Sequence, residues 1–84
     1  MIKLLYFATL RERIGMAEES LPMPAEITTV DALLGWLRQR GPEYQRALAD
    51  PAMVRVAVNQ DYARGGDAVK AGDEVALFPP VTGG

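Results

Sequence analysis

The stretch Thr28-Thr29-Val30-Asp31-Ala32-Leu33-Leu34-Gly35-Trp36-Leu37-Arg38-Gln39-Arg40-Gly41-Pro42 decides the class of fold. Val30, Leu33, Leu34 and Leu37 fall at i, i+3, i+4 and i+7, which makes one apolar stripe along a helix. Thr28 and Thr29 are both suited to the N-cap. Asp31 stands in the first turn, where the helix dipole favours an anion. Arg38 and Arg40 suit the opposite pole, and Gly41-Pro42 stops the helix. The spacing therefore predicts one main helix over about 29–40. Gly35 inside it costs about 1 kcal/mol against alanine, a cost that close packing on a sheet offsets. Trp36 lies off the stripe and is expected to be only partly buried.

The flanks on either side read mainly as strands. Ile2 to Ala8 sets Ile2, Leu4 and Tyr6 on one face and Lys3, Leu5 and Phe7 on the other; apolar groups on both faces suggest a central strand. Thr9-Leu10-Arg11-Glu12 fits a capping box and predicts a short helix to Ile14, closed by Gly15. Glu18 to Leu21 reads as a weaker strand, ended by Pro22 and Pro24, which cannot donate to a ladder. After the main helix, Glu43 to Ala49 predicts a shorter one with Tyr44 and Leu48 as its apolar pair. Met53 to Asn59 alternates Val54, Val56 and Val58 with Arg55, Ala57 and Asn59. Asn59-Gln60-Asp61 is a turn, Tyr62 to Arg64 a brief strand, and Ala71-Gly72-Asp73 a second turn. Glu74 to Phe78 is the last strand, with Val75 and Leu77 facing in, before Pro79-Pro80 ends the ladder. The expectation is a single α+β domain over residues 1–80. A mixed sheet of four to five strands wraps the main helix, with the first and last strands parallel at its centre. Residues 81–84 follow as a flexible tail.

Composition narrows the function classes. The 84 residues suffice for one small domain, and an apolar share of 49% belongs to a globular chain, not a disordered one. A net charge of -2 supplies no electrostatic basis for nucleic acid or an anionic membrane. No apolar run approaches the roughly 20 residues of a membrane helix. The apolar start Met1–Phe7 is too short for a signal peptide and meets Arg11, Glu12 and Arg13 at once, so the expected location is cytoplasmic. Cysteine and histidine are both absent. That excludes disulfides, thiolate nucleophiles, histidine-based catalytic pairs and the common zinc sites, and no metal is expected. Covalent chemistry is left to carboxylates, hydroxyls, lysines or the chain ends.

Few of these groups look equipped for it. Glu18-Glu19, Asp67 and Asp73-Glu74 fall where solvated turns are expected and read as surface charges. Gly65-Gly66 precedes Asp67, not the Gly-Lys-Ser/Thr of a phosphate loop, so the chain shows no nucleotide site. Lys3 and Lys70 sit in no apolar run that would lower their pKa.

The tail is different. Pro79-Pro80 stiffens the exit from the last strand and holds Phe78 extended. Val81-Thr82-Gly83-Gly84 then reaches about 13 Å at about 3.3 Å per residue. Gly83 and Gly84 have no side chains, so they can thread a channel that alanine would block. A stiff base with a thin end suits delivery of a group into another protein's active site. The Gly84 carboxyl is ionised at neutral pH and must be activated, for which acyl-adenylate formation from ATP is one route. A separate activating enzyme is implied. A sulfur nucleophile would then leave a thiocarboxylate, and a lysine amine an isopeptide bond.

Val58-Asn59-Gln60, Ala71-Gly72-Asp73-Glu74-Val75 and above all Phe78-Pro79-Pro80-Val81-Thr82-Gly83-Gly84 carry a resemblance, as do Ile2–Ala8 and Leu10-Arg11-Glu12. The chain resembles, over essentially its whole length, the small sulfur-carrying subunits of molybdopterin synthase (the MoaD family). These belong to the ubiquitin-like superfamily. Glu43 to Met53 contributes nothing to the likeness. The resemblance implies a ubiquitin-like β-grasp fold and a subunit that is no enzyme on its own. An E1-like (MoeB-like) enzyme would adenylate Gly84 with ATP, and a sulfur donor system would convert it to a thiocarboxylate. The tail would enter the large (MoaE-like) catalytic subunit of a heterotetramer. There the sulfur would convert cyclic pyranopterin monophosphate, precursor Z, to the dithiolene of molybdopterin, two loaded carriers per product. The carrier itself would bind no cofactor.

Alternation adds a docking surface. With Val75 and Leu77 facing the helix, Ala76 and Phe78, with Leu5 and Phe7, fall on the opposite sheet face. That face is either covered by the rest of the fold or open for a partner, with Pro79 and Pro80 at its rim. Three other readings stay open: a carrier for another pathway such as the thiamin thiazole, a protein modifier joined to lysines, and an interaction domain with an idle tail.

Overall fold

Burial follows the strand alternation. In β1 (Ile2–Tyr6), Ile2, Leu4 and Tyr6 are buried while Lys3 and Leu5 turn to the other face. A computed structural model describes residues 1–80; Val81, Thr82, Gly83 and Gly84, on which the tail expectations rest, lie outside the described residues.

The first strand stops at Tyr6, two residues before the sequence expectation, and α1 (Ala8–Ile14) begins without the capping box. The cause is backbone pairing. Phe7 N–H donates to the Leu77 carbonyl at 3.1 Å, and the Phe7 carbonyl accepts from Leu10 and Arg11 N–H at 3.1 and 3.3 Å. Turning so sharply puts Ala8 at a φ of 52°, a left-handed conformation that costs about 1–2 kcal/mol. Phe7 is therefore the N-cap, with no side-chain cap, and Thr9 lies inside the helix. Gly15, at a φ of 92°, closes the helix as expected.

β2 (Glu18–Leu21) runs antiparallel to β1, with Leu21 opposite Ile2. α2 (Val30–Arg38) is the main helix. The Thr29 hydroxyl accepts from Ala32 N–H at 3.2 Å, and Val30, Leu33, Leu34 and Leu37 are buried. It ends two residues early because Gln39 and Arg40 N–H bond three residues back, to the Trp36 and Leu37 carbonyls. α3 (Pro42–Ala47) starts one residue earlier than expected, with Pro42 in the first turn, and ends before Leu48. A 3₁₀ turn, Pro51–Met53, replaces the expected start of the next strand; the Asp50 carboxylate accepts from Ala52 N–H at 3.0 Å.

β3 (Arg55–Val58), β4 (Asp61–Ala63) and β5 (Glu74–Phe78) complete the sheet. Its order is β2-β1-β5-β3-β4, with β1 and β5 parallel at the centre, as the sequence predicts. Asn59 and Gln60 turn between β3 and β4 at φ of 51° and 72°, the left-handed pair that matches hairpin twist. One core joins Leu10 and Ile14 of α1, the stripe of α2, and Tyr44 and Ala47 of α3 to the inner face of β1, β3 and β5.

The turns at the other end of β5 correct one expectation. Asp73 is buried, not a surface charge. Its carboxylate accepts from the Asn59 side-chain amide at 3.0 Å and from Lys70 N–H at 2.9 Å. Asn59 in turn accepts from Glu74 N–H at 3.0 Å. Thus the Asn59 and Ala71-Gly72-Asp73 turns pin each other, which gives both motifs a structural role. Asp67 is exposed, and accepts from Arg64 N–H at 2.8 Å.

Gly65 is tied to the start of α2. Asp31 N–H donates to its carbonyl at 2.9 Å, and a Cβ built on Gly65 would fall on the Asp31 carboxylate. Because the clashing atoms are the far end of the exposed Asp31 side chain, we expect Gly65→Ala to cost less than about 1 kcal/mol, and a larger drop in the urea midpoint would mean that Asp31 is held in place.

Candidate functional site

All three helices pack on one face of the sheet, so the other face is decided by the strands alone. Register carries one cross-strand row over it: Glu18, Leu5, Ala76, Ala57 and Tyr62. Ala76 and Ala57 are small, which leaves the middle of the row low. Tyr62 stands at its edge, 83% exposed. Phe78 lies on the same face, and its ring meets that of Tyr62 at a centroid distance of 5.9 Å. Phe7 continues the alternation of β1 past its last pairing and is 47% exposed. The face is therefore open, with Leu5, Ala76 and Phe78 half-buried among their neighbours rather than covered by another element. Of the two readings of this face, the structure selects the apolar patch.

The patch lies where the chain leaves the sheet. β5 is the central strand, held on both sides by β1 and β3. Phe78 is its last residue, and the half-buried Pro79 and Pro80 follow directly. Two hydrogen-bonded neighbours fix where β5 ends, and so where the chain leaves the sheet. Phe7, Ala76, Phe78, Pro79 and Pro80, read from the sequence as partner-binding, thus gather at one end of one face. Gly84, Gly83, Thr82 and Val81 lie outside the described residues.

The chain matches the ThiS family over residues 4–84. A molybdopterin synthase sulfur carrier subunit from Haemophilus influenzae is 39% identical over 84 residues, with 100% of each chain covered. The chain belongs to the ThiS family. Among solved structures, a putative molybdopterin converting factor subunit 1 from Pyrococcus furiosus superposes with a TM-score of 0.79 at 31% identity, covering 95% of this chain and 97% of that one. A protein–protein complex of subunits 1 and 2 of molybdopterin-converting factor from Helicobacter pylori gives 0.65 at 20% identity, over 99% and 97% of the two chains, a likeness of fold. The architecture is the ubiquitin-like β-grasp that the resemblance implied.

Against that family fold, sequence reasoning missed Tyr62 and Glu19 in this chain. Tyr62 looked like part of a brief strand; only the register with Ala57 shows that it joins Phe78 on the open face. Carrying the alternation of β3 through a two-residue turn would have found it. Glu19 was read as a surface charge, and the structure corrects this. Its side chain is 13% exposed and accepts hydrogen bonds from the Tyr6 and Tyr44 hydroxyls at 2.7 and 2.6 Å. Arg40 stands 4.0 Å from the same carboxylate and 5.6 Å from the ring centroids of Trp36 and Tyr44. Burial first, then the hydrogen bond to Glu19, pushes the pKa of both tyrosines above its ordinary value, while Arg40 opposes the shift. This cluster ties β1, β2 and α3 together. In the ThiS-family chain it is a support behind the sheet, not part of the open face. Among the described residues, no helix is long and apolar enough to cross a membrane.

Proposed function

We propose that this protein is the sulfur carrier subunit of a molybdopterin synthase, acting in the cytoplasm. The observation that carries the reading is the full-length likeness to relatives of that name, joined to a fixed exit beside an open apolar face. An E1-like enzyme adenylates the Gly84 carboxylate with ATP: the carboxylate oxygen attacks the α-phosphorus and pyrophosphate leaves. A sulfide-level nucleophile delivered by a donor system attacks the carbonyl carbon and AMP leaves, giving the thiocarboxylate. The tail then enters the large subunit, where the sulfur goes to precursor Z and water supplies the oxygen that restores the Gly84 carboxylate. The carrier supplies no catalytic side chain and binds no cofactor; two loaded carriers serve each dithiolene. The described residues do the docking, with Phe7, Phe78 and Tyr62 as apolar anchors and Pro79-Pro80 aiming the tail.

Intact mass after incubation with ATP, the E1-like enzyme and a sulfur donor tests this. We expect a gain equal to replacing one oxygen by sulfur, localised to Gly84. No gain under conditions that load a known carrier would overturn the reading, as would a ladder of lysine conjugates as the only product. The docking face has its own test. Phe78→Ala should weaken binding to the large subunit by about tenfold or more, since half-buried aromatic anchors dominate such interfaces. Its effect on monomer stability should be smaller, because Phe78 lies outside the buried core and meets the exposed Tyr62 on the open face. Equal affinities in a titration of the purified subunits would remove Phe78 from the interface.

A further inference from the structure

The side chains of two arginines beside the tail exit make no hydrogen bond or ion pair among the described residues. Arg55 pairs with Phe78 across β3 and β5. Carrying the β3–β4 register one residue past Val56 and Ala63 sets Arg64 opposite Arg55, on the same open face. Like charges directly opposite each other on neighbouring strands are destabilising. Both side chains are exposed, and neither has a carboxylate within ion-pair distance among the described residues, where the pairs are Lys3–Glu18 and Arg40–Glu19. Two like charges thus stand on neighbouring strands with no ion-pair partner among the described residues.

The same arginines line a cleft of about 580 Å³ at the edge of the sheet. Its apolar wall comes from Val30 and Leu34 of α2, from Pro51, and from Val54. Tyr62 and Phe78 connect it to the open face. Asp31 is the one carboxylate among the lining residues, and it is set against Gly65. β4 is the sheet edge here, with no strand beyond it among the described residues. Unpaired cations around an apolar hollow call for an occupant that is apolar at its centre and anionic at its rim.

We propose that Arg55 and Arg64 form a cationic clamp for carboxylates of the large synthase subunit, whose adjoining apolar side chain fills the cleft. The proposal rests on the sulfur-carrier reading. The large subunit is chosen over the activating enzyme because the cleft runs, through Tyr62 and Phe78, into the open apolar face assigned above to that subunit. The clamp sets partner choice and encounter rate, while the aromatic anchors supply most of the contact. In the complex the partner's carboxylates offset the like charge of the two arginines.

The test is calorimetric titration of the large subunit with the full chain at low and high salt. Arg55→Gln with Arg64→Gln removes both charges and keeps part of each stem. We expect about tenfold weaker binding at low salt and a shallower salt dependence. The thermal midpoint of the free variant should be equal to or above that of the natural chain, and sulfur loading should be unchanged. Arg13→Gln with Arg46→Gln is the control of equal charge, since these two line a separate cleft; it should bind within twofold of the natural chain. Clamp-variant affinity within twofold of the natural chain overturns the proposal, as does an equal loss in the control. A loss seen only toward the activating enzyme, or a concentration-dependent dimer of the natural chain that the variant abolishes, assigns the cleft to another occupant and overturns it too. A natural chain that neither loads sulfur nor binds the large subunit removes the carrier reading itself, so the two failures are distinguishable.

Discussion

A chain ending at Gly83 is expected to lose sulfur loading by a factor on the order of 10² or more, because a misplacement of about 1 Å at a reacting atom already costs that much. Deleting Gly84 shortens the tail by about 3.3 Å. The exit sets how far the tail reaches: β5 is bonded on both sides, and Pro79-Pro80 follows without slack. The chain cannot recover the missing length by sliding, since a shift of register would expose Val75 and Leu77, which are fully buried. The folded domain should be untouched. The unfolding midpoint and the affinity of the docking face should match the natural chain, while the sulfur-for-oxygen mass gain disappears. Loading at the natural rate by the shortened chain would show that the activating enzyme does not measure tail length from the domain.

Glu19→Ala should cost about 3 kcal/mol, out of a total on the order of 5–10 kcal/mol for a domain of this size. The Tyr6 and Tyr44 hydroxyls, within residues 1% and 8% exposed, would each lose an acceptor, and water reaches them poorly. Arg40 would lose the carboxylate beside it. Glu19→Gln keeps one acceptor oxygen and should cost less. The same cluster sets an alkaline limit. Both tyrosine pKa values are raised in the folded chain, so the folded state keeps protons that the unfolded chain releases near its ordinary value of about 10. The contribution is fully present below about pH 10 and is lost as pH rises above it. Urea midpoints should therefore hold from about pH 8 to 9.5 and fall from about pH 10 to 11.5, and Tyr6→Phe should flatten the decline. A midpoint independent of pH in that range would show that the hydroxyls ionise freely.

Local signals carried the main helix well. Val30, Leu33, Leu34 and Leu37 are buried as their spacing predicts, and Thr29 caps as its residue type predicts. Two local signals failed for a shared reason. Thr9 did not cap α1, because the Phe7 backbone was already committed to Leu77, a residue seventy positions away. Glu19 did not face solvent, because Tyr6 and Tyr44 approach it from other elements. A single sequence shows what each residue favours locally, not which distant group competes for it.

The sequence by itself determined the class of the domain, the faces of its central strands, and the position of Gly83-Gly84 beyond a stiff proline pair. Those follow from period, residue type and order, which are local properties. Only the tertiary structure decided that the outer face is open, that Tyr62 joins Phe78 on it, and that Arg55 and Arg64 fall on neighbouring strands with no ion-pair partner among the described residues. Each depends on strand register, and register is set by burying Ile2, Leu4, Val56, Val75 and Leu77 together. Where the tail leaves the domain is legible in the chain; what surrounds that point is written in the packing of β1, β3 and β5.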